Sequence, residues 1–236
     1  MSDPAASLKR FVLERLGARP ALRVLEAGCG SGSWFDLPAM RGEGKIVGID
    51  ISAKQLERNT IIDEAIEGDL MAHRFAPDSF DLIISIDVLE HLDRPTAALD
   101  NLADALAPEG LLVLKIPNAA SVKGLFTKFT PHGLHVWVYR RFRGRPNAGK
   151  DDVGPFKTFM RMSIAPRALQ RWARQRGLEH AYEDYYEAAF QRRIRRKLGP
   201  LDPLARLGDR ALEAVTGGRL SLARTEYIVV FRRAGV

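Results

Sequence analysis

The chain has 236 residues, of which 46% are hydrophobic, so it can bury a core and global disorder is excluded. Its single cysteine, Cys29, excludes an intrachain disulfide and favours a reducing, cytoplasmic compartment. No uncharged apolar run reaches the ~18 residues that span a bilayer, and the first residues lack a signal-peptide pattern. The net charge of +7 is uneven: residues 1–118 carry 12 basic and 19 acidic side chains, and residues 119–236 carry 24 and 10. The basic half predicts an anionic partner, which could be nucleic acid, a membrane surface or an acidic substrate.

In the acidic half, short apolar segments alternate with segments of helical periodicity. The apolar segments predict five strands, of which the third has the weakest pattern: Arg23–Ala27, Lys45–Asp50, Ala65–Asp69, Phe80–Ile86 and Leu111–Ile116. A helix is expected within Ile51–Asn59 and another over Pro95–Leu106. Strands that alternate with helices at these distances indicate βαβ units and a parallel sheet.

This alternation ends after Pro117. Residues 119–157 are basic, aromatic and glycine-rich, without a clear period. The pattern then predicts a helix over Ser163–Gly177, capped by Ser163, and helical structure in two pieces over Glu187–Gly218. The last two predicted strands are Leu178–Tyr185 and Thr225–Arg232.

A glycine-rich loop follows the first predicted strand, in the segment VLEAGCGSG of Val24–Gly32. Its glycines allow a tight turn and a close approach of the backbone to a ligand. A nicotinamide-binding loop, G-x-G-x-x-G, would need a third glycine where Ser33 stands, so that match is imperfect. Asp50 ends the second strand, where a carboxylate can accept hydrogen bonds from both hydroxyls of a ribose. Asp69 follows the third strand, where it could accept from an adenine amino group.

These residues resemble the class I S-adenosylmethionine-dependent methyltransferases. The first motif of that family, E/D-x-G-x-G-x-G, is matched by Glu26, Gly28, Gly30 and Gly32, and the resemblance covers roughly Leu22–Asn118 plus the final strand. It implies a single α/β domain over residues 1–236, with a Rossmann-like, mostly parallel seven-stranded sheet, helices on both faces and an antiparallel last strand. Residues 1–118 would bind the cofactor, residues 119–162 would form an inserted basic lid, and residues 163–236 would add the closing helices and last strands.

The resemblance also implies how S-adenosylmethionine would bind. The glycine loop would line the methionine part, with Glu26 near its amino group, while Asp50 would hold the ribose and Asp69 would meet the adenine. Ile51 and Leu70 would pack on the adenine faces, for which ordinary core packing is the alternative. The implied cofactor-binding residues are Glu26, Gly28, Cys29, Gly30, Gly32, Asp50, Ile51, Asp69, Leu70 and Ile86.

Asp87, Glu90 and His91 follow the fourth strand in the pattern D-x-x-E-H, where the family places the methyl group. Methyl transfer to an alcohol or phenol requires removal of the acceptor's proton, and a histidine has the pKa range of a general base. We therefore predict these three residues as catalytic, with capping of the next helix by Glu90 and His91 as the structural alternative.

A metal site is a further, less favoured alternative for the same cluster. The ubiquinone-biosynthesis O-methyltransferases and the small-RNA 2′-O-methyltransferases are similar here, with E-x-x-E-H, a cluster that can hold a divalent cation and polarise the substrate oxygen. In this chain Asp87 is one methylene shorter than the glutamate of that pattern, and His132 or His135 could add a ligand. The prediction is therefore S-adenosylmethionine without a metal.

Aromatic and basic residues are interleaved in the predicted lid. Such a mixture can stack on nucleobases, lie in an anionic membrane interface or enclose an aromatic substrate, and a packed cover with solvated arginines is the other interpretation. We predict substrate contacts for His132, His135, Trp137 and Tyr139.

In a second basic segment, Tyr186–Leu198, apolar residues recur every four positions among arginines, which would form an apolar stripe on one face of a helix. Leucines at positions 201, 204 and 207 extend this stripe. This pattern is typical of a helix on a membrane surface, and equally of a helix packed on its own domain. The hypothesis is peripheral attachment to an anionic membrane.

The predicted function is S-adenosylmethionine-dependent methylation of an oxygen on a small or lipid-linked acceptor. Oxygen is preferred because the sequence lacks the N/D-P-P-Y motif of N-methyltransferases. An RNA 2′-O-methyltransferase is the alternative, and nucleic acid ranks lower because no RNA-recognition module is identified. Alternatives of another class are a non-catalytic cofactor-binding protein and an NAD-dependent oxidoreductase, against which the absence of a visible Tyr-x-x-x-Lys pair argues.

Overall fold

The computed structural model describes residues 3–17, 19–121, 124–125, 129–142, 144, 146–149, 154, 156–197, 199–217 and 220–235, apart from the side chains of His135, Phe142, Phe190 and Ile194. Its strands are β1 (Arg23–Ala27), β2 (Lys45–Asp50), β3 (Glu64–Glu67), β4 (Phe80–Ile86), β5 (Leu106–Pro117), β6 (Leu178–Tyr186) and β7 (Glu226–Arg233). They form one seven-stranded sheet in the order β3-β2-β1-β4-β5-β7-β6. Strands β1 to β5 pair in parallel, whereas β7 runs antiparallel to both β5 and β6. The predicted fold and the antiparallel last strand are confirmed.

Helices cover both faces of this sheet. They are α1 (Pro4–Leu16), α2 (Leu37–Arg41), α3 (Ala53–Leu56), α4 (Pro95–Ala105), α5 (His132–Phe142), α6 (Pro166–Gln175), α7 (Ala189–Arg196) and α8 (Asp202–Val215). The buried strand residues alternate between two core clusters, as the two-residue period of a strand requires. One cluster packs the sheet against α4 and α6, and the other packs it against α1 and α2.

Several boundaries differ from the prediction for local physical reasons. Strand β5 begins at Leu106 rather than Leu111, because its pairing with β4 continues across a register shift near Glu109, which has a φ of 60°. Helix α6 begins at Pro166, after an N-cap at Ala165. Ser163 lies in a preceding 3-10 turn instead of capping the helix.

The sheet topology gathers the chemically interesting residues at one edge. Because β1, β2, β3 and β4 are parallel, the segments that follow their carboxyl ends meet there. Strand β6 ends at this same edge and β7 starts from it, so α7 and α8, which connect them, also emerge there. Among the described residues, none of the helices has the length and apolar character to cross a bilayer.

Candidate active site

The glycine loop is fixed by backbone bonds and tight packing. The N–H groups of Gly28 and Cys29 donate to the carbonyl of Ile49 on β2 at 2.8 and 3.1 Å. Gly28 has a φ of 74°, and a Cβ atom built on it would lie 2.4 Å from Cγ2 of Val88. Position 28 therefore requires glycine both for its backbone conformation and for its contact with the segment after β4.

Asp50 joins this loop to the end of β2. Its two carboxylate oxygens accept the backbone N–H groups of Gly30 and Ser52, each at 2.9 Å. An ionised carboxylate has about four lone-pair positions, so it can still accept ligand hydroxyls. Beside it, the apolar side chain of Ile51 is 74% exposed, which suits packing on a planar ligand. The Cys29 thiol is buried, and burial raises its pKa to about 12, so it stays protonated at neutral pH and its contact with a cofactor stays a prediction.

The surroundings of Glu26 indicate whether the glycine loop fits an S-adenosylmethionine molecule. Its side chain is buried, and in the part of the chain that the structure describes its Oε2 atom has no hydrogen-bond partner. Burial raises the pKa of this carboxyl group to about 7, against the smaller lowering effect of a hydrogen bond from Ser33. A buried carboxylate oxygen without a partner is costly, and an ammonium group would satisfy it. The site thus fits the amino group of the cofactor.

The residues predicted to contact the adenine have contacts that are less specific for a ligand. Oδ1 of Asp69 accepts the N–H of Met71 at 2.8 Å, so the turn after β3 is closed by its side chain. Leu70 is buried in the core, which agrees with the core-packing alternative, and Ile86 at the end of β4 is half-buried. Contacts of these residues with a cofactor stay predictions.

An ion-pair network, absent from the sequence prediction, joins the predicted catalytic segment to β5 and β7, and it is buried except at Asp87. Nζ of Lys115, on β5, lies 2.5 and 2.6 Å from the carboxylate oxygens of Asp87 and 3.1 Å from Oε2 of Glu226. Burial lowers the pKa of Lys115, but the two carboxylates outweigh burial and the pKa is raised. The signal that could have revealed the network is a lysine in the otherwise apolar strand LLVLKI, since a buried charge requires a partner.

Tyr186 belongs to this network rather than to a helix. It is the last residue of β6, and its pKa is raised to about 12 by burial, partly offset by the nearby ammonium of Lys115. The predicted apolar stripe that begins at this residue is therefore wrong at its first position, because the chain is extended there. The other members, Phe190, Ile194 and Leu198, lie outside the described side chains.

Glu90 is buried close to this network. Burial, with the nearby charge of Asp87 as a smaller cause, raises its pKa well above 4.5. Its Oε2 atom has no hydrogen-bond partner among the residues described. Its backbone carbonyl accepts the N–H groups of Phe159 and Met160 at 2.9 and 3.2 Å. Glu90 thereby attaches the segment after β4 to the end of the predicted lid.

His91 is held in one tautomer. Its Nδ1 lies 2.8 Å from the carbonyl oxygen of Lys157, and because a carbonyl can only accept, Nδ1 carries the proton. In the neutral ring Nε2 then keeps its lone pair. Burial lowers the pKa of His91 below 6.5, and the charge of His132 lowers it further, against the raising effects of the Lys157 carbonyl and Asp87. The ring is therefore neutral at neutral pH, as a general base must be.

This arrangement does not favour the metal alternative. Asp87 is paired with Lys115, and Nδ1 of His91 is bonded to a backbone carbonyl. Across the described ranges, no three or more His, Cys, Asp or Glu side chains are grouped so that they could hold a metal ion.

Helix α5, within the segment predicted as a lid, approaches the same place. His132, its first residue, is exposed yet close enough to affect His91 electrostatically. Trp137 is 55% exposed and Tyr139 is half-buried, whereas the side chain of His135 lies outside the described part of the chain. Substrate contacts for these residues stay predictions.

A cavity of about 350 Å³ opens next to the end of β5. Three arginines line it, Arg167, Arg171 and Arg224, together with Asn118 and Tyr185. Most of the lining is apolar, and Arg224 is already paired with Glu213, so the cavity suits a largely apolar molecule that carries an anionic group.

Comparisons with known proteins agree with this fold. A family model described as a methyltransferase domain matches residues 3–183. The ubiquinone biosynthesis O-methyltransferase of Neisseria meningitidis serogroup C is 29% identical over 177 residues, a match that covers 67% of this chain and 64% of the relative. The cyclopropane-fatty-acyl-phospholipid synthase of Escherichia coli K12 is 32% identical over 120 residues, which covers 48% of this chain and 30% of the synthase.

A solved structure is similar over nearly the whole chain. It is an S-adenosylmethionine-dependent methyltransferase from Mesorhizobium loti, with a TM-score of 0.57 and 17% identity, and the match covers 98% of this chain and 99% of that one. At this identity the similarity shows a shared fold. With the family model, it confirms that the chain belongs to the methyltransferase domain family of class I S-adenosylmethionine-dependent methyltransferases.

Proposed function

We propose that this protein transfers the methyl group of S-adenosylmethionine to an oxygen atom of a small or lipid-linked acceptor, with His91 as the general base. The observation that carries the proposal is the Nδ1 bond of His91 to the Lys157 carbonyl, which leaves the lone pair on Nε2, 3.9 Å from Oε1 of Glu90, as a proton acceptor. A lowered pKa supports this role, because the base stays unprotonated at neutral pH.

When bound, S-adenosylmethionine supplies a methyl carbon activated by its sulfonium group. The glycine loop and Glu26 would hold the methionine part, and Asp50 and Asp69 would hold the nucleoside. Nε2 of His91 accepts the proton of the acceptor hydroxyl as the oxygen forms its bond to the methyl carbon and the carbon–sulfur bond breaks. Holding the two reactants in line supplies much of the rate, and Glu90 and the Asp87–Lys115 pair fix the segment that carries His91.

The acceptor is anionic, or is presented at an anionic surface on the cytoplasmic side of a membrane. The cavity lined by Arg167, Arg171 and Arg224 supports this substrate class. The Neisseria relative, named for ubiquinone biosynthesis, supports an oxygen acceptor of lipid character. The chain matches only 64% of that relative, so its substrate is not transferred to this protein.

Calorimetry with S-adenosylmethionine and with NAD tests the cofactor, and formation of S-adenosylhomocysteine with a panel of hydroxyl-bearing acceptors tests the reaction. His91→Ala should abolish turnover yet bind the cofactor, whereas His180→Ala, an exposed histidine on β6, serves as the matched control. NAD binding without S-adenosylmethionine binding, or cofactor binding without turnover on any acceptor, would contradict the proposal. If the protein binds one equivalent of metal, and Asp87→Ala loses both the metal and turnover, a metal-assisted mechanism would replace the general base.

A further inference from the structure

Helix α8 is inverted: its acidic residues are turned toward the protein and its apolar face is turned toward solvent. Three acidic residues, Asp202, Asp209 and Glu213, are spaced so that they lie on one face of a helix. Asp209 accepts the N–H of Leu222 at 2.6 Å, and Glu213 pairs with Arg224 at 3.3 Å. Asp202 pairs with Arg195 of α7 at 3.6 Å. The acidic face is thus what attaches the helix to the rest of the domain.

The opposite face presents large apolar side chains to solvent. Leu204, Leu207 and Val215 recur at helical spacing and are 65, 64 and 88% exposed, and Ala211 lies on the same stripe and is also exposed. Leu201, in the turn before the helix, extends the patch and is 57% exposed. Helix α8 has 14 residues and no buried one, so it is about 20 Å of helix whose apolar face has no core to cover. We call these residues the α8 patch.

Exposed basic side chains occur on the polar flank of α8 and on the preceding helix, α7. Arg210 follows the patch along the polar flank of α8 and is exposed. Arg193, Arg196 and Lys197, at the end of α7, are also exposed. Arg210 lines a cavity with Asp209 and Glu213, but these two acids are engaged in the bonds to Leu222 and Arg224 described above. An apolar stripe with a rim of arginines and lysines is the surface that binds an anionic lipid bilayer, because the stripe enters the headgroup region and the rim contacts the headgroups.

We propose that the α8 patch docks the protein on an anionic membrane. The connection between β6 and β7 leaves from the carboxyl edge of the sheet, so the docked helix belongs to the same edge as the glycine loop and His91. Docking therefore presents the candidate active site toward molecules held in the bilayer. This proposal deepens the proposed function. It rests on that function only for the statement that docking presents the active site to molecules in the bilayer.

Co-sedimentation of the full chain with vesicles of phosphatidylglycerol and phosphatidylcholine, against phosphatidylcholine alone, tests this surface without any acceptor or cofactor. Wild type should bind the anionic vesicles at low salt and lose binding as salt is added. Leu204→Glu/Leu207→Glu should lower the partition coefficient more than tenfold. Arg193→Gln/Arg210→Gln should lower it about fivefold for each arginine. Leu13→Glu, at an exposed leucine of α1, is the matched control and should bind like wild type.

Circular dichroism and thermal unfolding establish that each variant is folded, since the substituted side chains are exposed. Absence of wild-type binding to anionic vesicles, or equal binding by Leu204→Glu/Leu207→Glu, would overturn the proposal. A wild-type dimer in analytical ultracentrifugation that Leu204→Glu/Leu207→Glu dissociates, with no vesicle binding, would assign the α8 patch to a second copy of the chain. Methyl transfer measured separately on a soluble acceptor distinguishes failure of docking from failure of the proposed function.

Discussion

Substitution of Gly28 by alanine probes the contact between the glycine loop and the segment that carries His91. An alanine at a φ of 74° costs roughly 1–2 kcal/mol, because its Cβ crowds the carbonyl oxygen. The new Cβ would also lie 2.4 Å from Cγ2 of Val88, an overlap that costs about 1–3 kcal/mol as the structure shifts. We expect Gly28→Ala to lower the free energy of unfolding by about 2–5 kcal/mol and to weaken S-adenosylmethionine binding, since the loop must move.

The two causes can be separated by shortening Val88. In a double-mutant cycle with Val88→Ala, the two contacts with the Cγ atoms should disappear, whereas the contact with the Cβ of residue 88 at 3.1 Å and the backbone strain should remain. The coupling energy should therefore be about 1–2 kcal/mol in favour of the double variant, less than the full cost of the overlap. Gly32→Ala is the control, because a Cβ there meets only Cδ1 of Ile61 at 3.9 Å and the φ is not strained. Urea unfolding gives the free energies and calorimetry gives the cofactor affinity. A Gly28→Ala protein as stable as Gly32→Ala, or a cycle without coupling, would refute this reasoning.

Three further predictions concern ionisable groups. Burial raises the pKa of Glu26 from 4.5 to about 7, so between these pH values the folded apo protein binds more protons than the unfolded chain. The free energy of unfolding should therefore fall as the pH rises through this window, by about 3 kcal/mol in all. Glu26→Gln should remove that dependence and weaken cofactor binding; an unchanged pH–stability curve would count against it. Lys115→Met removes the ammonium that pairs with buried Glu226, so the free energy of unfolding should drop by about 3–5 kcal/mol, and Lys115→Met/Glu226→Gln should recover part of the loss. For His91, whose pKa lies below 6.5, kcat/KM should rise with pH through that pKa and level off near neutrality, and a profile without this limb would exclude the base.

The sheet and the glycine loop were predictable because their signals are local. Short apolar segments bounded by turns gave the strands, and the motif from Glu26 to Gly32 gave the loop at its correct place. The start of β5 was missed because Pro108, Glu109 and Gly110 read as a helix stop, whereas the strand continues through them with a positive φ at Glu109. A local sequence pattern cannot show that a strand continues through an irregular residue while it keeps its pairing with the neighbouring strand.

The ion-pair network and the orientation of α8 depend on distant residues. Lys115 is paired with Ile228 in the antiparallel ladder, and Glu226, two residues away on β7, lies diagonally on the same face. That proximity exists only once the β5–β7 register is set. The composition of α8 predicts an amphipathic helix, but which face is turned inward depends on Arg195 and Arg224, which come from other segments.

The bonds from Asp50 to Gly30 and Ser52 have a consequence for the thermodynamics of ligand binding. Ordering the backbone of one residue costs about 1–2 kcal/mol of conformational entropy, and glycines have the most to lose. Here that cost is met during folding, because Asp50 and the Ile49 carbonyl already fix the loop. A cofactor therefore meets a preorganised surface, and its affinity is not reduced by the work of arranging the loop.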